Sequence, residues 1–331
     1  MQDISSKIQE KILISNNFDF DELALEVFRF QYKHNSIYRQ YVDYLNINAT
    51  SVDNILDIPF LPIEFFKTHQ VVSTSSEINK VFESSGTTSD STSKHFISDL
   101  SLYETSFETC FKQFYGDIND WIILALLPSY LERNNSSLVY MVDHLIKKTN
   151  NENSGFYLHN LTALQQKLAQ LLQATQKQKI LLIGVTFALL DFAEQFPMKL
   201  SDVIIMETGG MKGRRKELLR EEVHEILKNS FNVSSIHSEY GMTELLSQAY
   251  SDGNGIFRAP SWMKCLKRDI YNPLHTDNSS GRGALNIIDL ANINSCAFIA
   301  TQDMVNLHEE ASFEIIGRIN HADIRGCNLL I

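Results

Sequence analysis

Three largely uninterrupted apolar runs limit what this chain can fold into: residues 121–127, which stop at Pro128, residues 180–187, and residues 202–206. Their side chains do not alternate between polar and apolar, so they predict strands buried on both faces, as in a parallel sheet covered by helices. Between and around them, residues 100–115, 136–148, 161–176 and 216–231 carry apolar groups at helical spacing. From residue 233 onward the pattern turns strand-rich, at 233–236, 284–290, 297–300 and 312–316. The expectation is a layered α/β domain with a β-rich portion toward its end. Residues 21–45 read as one or two helices. In the apolar stretch 58–67, Pro59 and Pro62 forbid a regular helix, so it lies across the domain or packs into it. There is no internal repeat and no clear linker. The chain reads as a helical N-terminal segment, 1–55, followed by one domain, 56–331.

Bulk properties remove several function classes. A net charge of -11 argues against general nucleic-acid binding and against attachment to an anionic membrane. No apolar signal core stands at residues 1–7 and no run is long enough to span a bilayer, which predicts a cytoplasmic chain. Cys110, Cys265, Cys296 and Cys327 form no CxxC pair, fit a reducing compartment and give no zinc signature. The histidines are spread thinly, and no Gly-x-Ser-x-Gly elbow points to a serine hydrolase.

Five stretches carry chemistry-bearing residues. Ser84-Ser85-Gly86-Thr87-Thr88-Ser89-Asp90-Ser91-Thr92-Ser93-Lys94 offers backbone N–H groups, hydroxyls and one compact cation, and has no apolar side chain. Such a loop can cradle a polyphosphate, but by composition alone a flexible Ser/Thr linker is the favoured reading. It lacks the second glycine and the Lys-Ser/Thr pair of a Walker A loop. Glu207-Thr208-Gly209-Gly210-Met211-Lys212-Gly213-Arg214-Arg215-Lys216 places three glycines between a strand and a helix. Its cations crowd a helix N-terminus, where they are disfavoured unless an anion joins them or Glu217, Glu221 and Glu222 pair with them.

The third stretch, His237-Ser238-Glu239-Tyr240-Gly241-Met242-Thr243-Glu244, could present Tyr240 to a purine, Thr243 to phosphate and Glu244 to Mg2+ from one turn. Thr301-Gln302-Asp303 follows the strand expected at 297–300. An aspartate at a strand's carboxyl end is a usual ribose-binding position, and a turn cap is the plainer reading. In the last stretch, Cys327 lies near Arg325 and His321, which could lower its thiol pKa, whereas Leu329-Leu330-Ile331 would favour its burial.

In this order, the motifs resemble the adenylate-forming superfamily of acyl- and aryl-CoA synthetases. Ser84-Ser85-Gly86-Thr87-Thr88 resembles its phosphate loop, and Tyr240-Gly241-Met242-Thr243-Glu244 matches its Tyr-Gly-x-Thr-Glu motif. Thr301-Gln302-Asp303 and Gly317-Arg318 resemble its ribose-binding Asp and hinge-proximal Gly-Arg. From about residue 55 to the end the chain looks still more like the LuxE family of acyl-protein synthetases. That likeness rests on Pro59-Phe60-Leu61-Pro62, Ser93-Lys94-His95, Leu127-Pro128, Ser136-Ser137-Leu138-Val139-Tyr140-Met141, 207–214 and Asp323-Ile324-Arg325-Gly326-Cys327.

The resemblance implies the superfamily's N-terminal domain, with the C-terminal lid domain reduced or absent because the chain stops soon after Gly317-Arg318. It implies ATP and Mg2+ as cofactors and a fatty acid activated as acyl-AMP. The acyl group then passes to Cys327 for delivery to an acyl-acceptor protein such as a fatty acyl reductase. Ser84, Ser85, Gly86, Thr87, Thr88, Lys94, Gly209, Gly210, Arg214, Tyr240, Gly241, Thr243, Asp303 and Arg318 are the expected nucleotide contacts. Glu244 is the expected metal ligand, and either Lys212 substitutes for the lid's lysine or adenylation is slow. Position 89 is serine where the superfamily usually has glycine, and no proline precedes Lys94. Two rival readings are a ligase joining another carboxylic acid to coenzyme A or a carrier protein, and a non-catalytic nucleotide-binding subunit docking a partner through residues 59–66.

Overall fold

The computed structural model describes residues 6–7, 10–11, 17–73, 77–84, 92–128, 132–174, 178–209 and 218–319. Its longer helices are α1 (Phe20–His34), α2 (Ser36–Tyr44), α3 (Leu100–Tyr115), α4 (Ser137–Lys148), α5 (Leu161–Gln173), α6 (Thr186–Gln195) and α7 (Arg220–Phe231). The first strands are β1 (Leu61–Pro62), β2 (Lys80–Glu83), β3 (Lys94–Ile97), β4 (Trp121–Leu126), β5 (Gly155–Phe156), β6 (Lys179–Gly184) and β7 (Val203–Glu207). Then come β8 (His237–Tyr240), β9 (Ala249–Ser251), β10 (Ile256–Arg258) and β11 (Met263–Arg268). The last are β12 (Thr276–Asp277), β13 (Gly281–Asp289), β14 (Phe298–Leu307) and β15 (Ser312–Arg318).

Thirteen strands form one sheet in the order β12-β11-β13-β14-β15-β10-β9-β8-β7-β6-β4-β5, with β1 paired to β14. Strands β5, β4, β6, β7 and β8 run parallel to one another. From β8 through β9 to the far edge at β12, the pairings along that order are antiparallel. Every side chain of β4 is buried, as its unbroken apolar run predicts. Gly184 ends β6 because β4 presses against it: a Cβ there would lie 2.8 Å from the Leu126 Cβ. Helix α3 starts on the Asp99 carboxylate, which accepts the Ser101 N–H at 3.0 Å, and stops at Gly116, whose φ is +86°.

The N-terminal helices share the core of the sheet. Phe28 of α1 and Tyr38 of α2 are fully buried and meet Phe298 of β14, the first edge-on at 6.1 Å and the second stacked at 6.0 Å. Burying two such rings contributes roughly 1.5–3 kcal/mol each. Gln31 completes the join, donating to the Asn292 and Ile293 carbonyls at 3.0 and 2.8 Å and accepting the Ala297 N–H at 2.9 Å.

The structure corrects several expectations. The apolar run 180–187 is strand only to Gly184, after which Thr186 opens α6, a helix the sequence reading lacked. The strand expected at 233–236 instead begins at His237, so Ser238 and Glu239 are strand residues. Asp303 does not follow a strand that ends at Ala300. It sits within β14, whose side chains alternate between buried and half-buried positions from Ala300 on. The stretch 58–67 packs inward: Phe60, Leu61 and Phe66 are buried and β1 pairs with Ile299 and Ala300. A docking role through that stretch would require it to leave the core. Among the described residues no helix is long and apolar enough to cross a membrane.

Candidate active site

Strands β2 and β3 form a separate antiparallel hairpin in which Glu83 opposes Lys94. At its base the Ser84 N–H donates to the Ser93 carbonyl at 3.0 Å, and the Ser93 N–H donates to the Ser84 hydroxyl at 2.9 Å. These bonds close the neck of the Ser/Thr-rich loop. Lys94 is exposed, with its Nζ 3.8 Å from Glu83 Oε1. Ser85, Gly86, Thr87 and Thr88 lie outside the described residues.

His95 ties this hairpin to the turn after β8. It is wholly buried, with Nδ1 2.8 Å from the Thr243 carbonyl and Nε2 3.1 Å from Asn292 Oδ1. Asn292 in turn donates to the Glu244 carbonyl at 2.8 Å. Burial lowers the imidazole pKa to about 4 against the pull of its two hydrogen bonds, which keeps the ring neutral at pH 7. Glu244 is 5% exposed, and its side chain is hydrogen-bonded to Ser93 at the hairpin base. Burial pushes this carboxyl up; Ser93, Lys67 and Arg318 pull it down.

Tyr240, at the end of β8, donates its hydroxyl to Asp303 Oδ2 at 2.7 Å. Arg318 lies opposite Asp303 across β14 and β15 and brings its Nε within 3.3 Å of Oδ1. A register shift between Met304 and Val305 marks this crossing. Arg268 steadies the strand just before Asp303, donating to the Thr301 carbonyl at 2.6 Å. Gln302, between them, donates to Glu64.

Glu207 ends β7 and organises the neighbouring turn. Its Oε2 accepts the Gly209 N–H at 2.8 Å and the Thr186 hydroxyl at 3.1 Å, and its Oε1 accepts the Ser238 hydroxyl at 2.8 Å. Arg220 Nε stands 3.4 Å from Oε1. Burial alone would raise this carboxyl, but the hydrogen bonds and the Arg220 charge outweigh it and hold the pKa at about 2. The turn needs Gly209, whose φ is +73°. Gly210, Lys212 and Arg214 lie outside the described residues, as does Cys327.

Thr208, Gly209, Gly241, Met242 and Thr243 border one cavity of about 190 Å³, with Glu83, Arg133 and Glu239 also on its wall. It opens at the carboxyl ends of β7 and β8, where open α/β sheets bind ligands. A larger cavity of about 540 Å³ is lined by Trp121, Lys179 and His237, the first residues of β4, β6 and β8. It therefore sits at the opposite ends of the strands, and none of the site residues named from the sequence lines it, whereas Gly209, Gly241 and Thr243 line the smaller cavity. Among the described residues no group of three or more His, Cys, Asp or Glu side chains could hold a metal ion. Reading the sequence did not single out Arg133 or Glu239, and gave His95 and Glu207 no role of their own. Only their burial and partners reveal them.

A parallel sheet continued by antiparallel strands, with these turns at its carboxyl ends, is the fold of the N-terminal domain of adenylate-forming enzymes. An ATP-bound structure of MatB from Rhodopseudomonas palustris superposes with a TM-score of 0.54 at 14% identity, over 74% of this chain and 49% of that one. A 2-hydroxyisobutyryl-CoA ligase in complex with 2-HIB-AMP and CoA gives 0.66 at 12% identity, over 96% of this chain and 69% of that one. The same ligase in an open conformation gives 0.65 over 91% of this chain. The chain thus spans about half the length of the first of these enzymes. No curated protein matches it. The family model described as acyl-protein synthetase, LuxE, matches residues 4–331, and the chain belongs to that family.

Proposed function

We propose that this chain uses ATP to activate a carboxylic acid, a fatty acid by family, and passes the acyl group to a thiol. The observation that carries this reading is the convergence of Tyr240, Thr243 and Glu244 with the Ser84–Ser93 hairpin neck, through His95 and Ser93, beside a cavity at the sheet's carboxyl edge. In the first step a carboxylate oxygen of the acid bonds to the α-phosphorus of ATP, and the bond to the bridging oxygen of pyrophosphate breaks. The acid is already ionised at pH 7, so the site must supply position and positive charge more than a base. Asp303, held by Tyr240 and Arg318, fits the ribose hydroxyls. Gly209 and Gly241 leave room for close approach to a ring or phosphate.

Glu244, buried beside the hairpin neck and bonded to Ser93, would hold Mg2+ through its single carboxylate, since this cation commonly takes only one or two protein carboxylates beside a nucleotide. The bound ion would neutralise charge on the departing pyrophosphate. In the second step a thiolate attacks the acyl carbonyl and AMP leaves with the bonding electrons. Cys110 and Cys296 are buried, and burial pushes their thiols up, Cys296 to about 12. Cys265 is half-buried, and its thiol is raised by the same cause. None suits a nucleophile, and Cys327 remains the acceptor of choice within the chain. Acid-dependent exchange of labelled pyrophosphate into ATP tests the first step. Glu244→Gln should cut its kcat by roughly 100-fold or more, the scale of a lost charge-stabilising group. Full exchange without added acid, or none with any acid, would contradict the reading.

A further inference from the structure

Glu239 stands apart from every other acidic residue around the site. It is 8% exposed, lies on β8 immediately before Tyr240, and lines the 190 Å³ cavity. Glu207, one strand away, is surrounded by donors; the Glu239 carboxyl has no hydrogen-bond partner among the described residues. It also defines the space there, since a Cβ on Gly241 would come within 2.5 Å of Glu239 Oε1. Among the described residues, the enclosed side-chain atom without a partner on this wall is Gln248 Oε1, whereas the Glu239 carboxyl is open to whatever enters the cavity.

We propose that Glu239 binds the carboxylate of the acid, donating its carboxyl O–H to one substrate oxygen, while Arg133 on the same cavity wall supplies the balancing positive charge. This rests on the adenylation reading above, and on Glu239, Arg133, Gly241 and Thr243 lining one cavity. Burial, and then the negative charge of Glu207, raise the Glu239 pKa to about 8, so at neutral pH it is an acid and a donor. The other groups facing it are Tyr103, Cys110 and Tyr115 from α3 and Tyr250 from β9, all with pKa values raised by burial and neutral in the same range. Glu83 and Arg133 face the cavity from β2 and from the segment before α4. A hydrocarbon chain laid on Glu239 would leave the O–H unpaired, whereas a carboxylate makes a short, charge-assisted bond with it. No proton is transferred: the O–H stays on Glu239, and the second substrate oxygen is left to attack phosphorus.

The test is acid-dependent pyrophosphate exchange by the full chain with tetradecanoic acid and a panel of shorter and aromatic acids. It compares wild type, Glu239→Gln and Glu239→Ala between about pH 6 and about pH 9.5. The wild-type KM for the acid should be flat up to about pH 8 and then rise by about tenfold per pH unit as the donor ionises. Glu239→Gln keeps an N–H donor that does not titrate, and should abolish that rise. Glu239→Ala should raise the acid KM by roughly 10- to 100-fold at every pH, with the ATP KM within about twofold of wild type. An unchanged acid KM in Glu239→Ala, or a rise that survives in Glu239→Gln, overturns the role of Glu239 and leaves adenylation standing. If neither variant folds, a wild-type acid KM that stays flat to about pH 9.5 overturns it as well. A wild type with no exchange for any acid overturns the adenylation reading and Glu239's role with it.

Discussion

Tyr240 and Asp303, 63 residues apart in the chain, are joined by a 2.7 Å hydrogen bond that ties the parallel half of the sheet to its antiparallel half. The bond orients the Asp303 carboxylate from one side while Arg318 holds it from the other at 3.3 Å. A carboxylate fixed this way can meet ribose hydroxyls with little loss of freedom on binding.

Tyr240→Phe removes that bond and keeps the ring, which packs edge-on against Phe257 and Phe313. The ATP KM should rise by roughly 10-fold, the scale of one hydrogen bond to a charged group. Asp303→Ala should raise it further, and the two changes together should cost less than their sum, because they break the same contact. Steady-state kinetics at saturating acid decides this; strict additivity would mean that the bond does not act through Asp303.

His95 gives a prediction about acid. Its folded pKa of about 4 lies below the ordinary value of 6.5, so the folded state favours the neutral ring. The stability this contributes is present above pH 6.5 and is lost as pH falls through about 4. The loss is on the order of 3 kcal/mol for a shift of this size. Urea denaturation of wild type and His95→Gln at several pH values tests it: the wild-type advantage should shrink between those limits. His95→Gln should also weaken ATP binding, since the hairpin neck would no longer be tied to Thr243.

Glu207 titrates with the usual carboxylate sign. Its folded pKa of about 2, against 4.5, means that its contribution is present above pH 4.5 and is lost as pH falls toward 2. Glu207→Gln takes the ion-pair partner from Arg220, which keeps its bond to the Ile315 carbonyl, and should destabilise the fold by roughly 1–3 kcal/mol in chemical denaturation. It also removes the negative charge beside Glu239, so the upper pH limit for acid binding should move down.

Gly241→Ala probes the tight space around Glu239. The added Cβ displaces the Glu239 carboxyl, so the acid KM should rise several-fold while the melting temperature holds. An equal rise in the ATP KM would mean that the methyl group blocks the nucleotide instead.

Much of this architecture is legible in the residues themselves. The run Trp121 to Leu126 has no polar position, and only a strand covered on both faces accepts that pattern. Tyr240, Thr243 and Glu244 could be named because a compact motif carries them. The boundaries were harder. Residues 180–196 are apolar almost throughout, so the change from β6 to α6 at Val185 leaves no change of polarity to read. Strand β14 continues past Ala300 with polar side chains, which read as its end; in fact Thr301, Asp303 and Val305 point inward and Gln302, Met304 and Asn306 are half-buried. Glu239 and His95 were illegible for another reason. Their burial comes from residues distant in the chain, among them Tyr103, Thr243 and Asn292, and a charged residue in a short strand reads as surface until those neighbours are known.

The proposed function requires that acid activation feed a thioester on this chain. The direct measurement is incubation with ATP, Mg2+ and radiolabelled tetradecanoic acid, followed by a denaturing gel with and without hydroxylamine. A labelled band should appear that hydroxylamine removes and that is absent in Cys327→Ser. Acyl-AMP without a labelled band would move the acceptor off the chain, to coenzyme A or a carrier protein. Neither acyl-AMP nor label with any acid would rule out acid activation and favour a nucleotide-binding subunit without chemistry of its own.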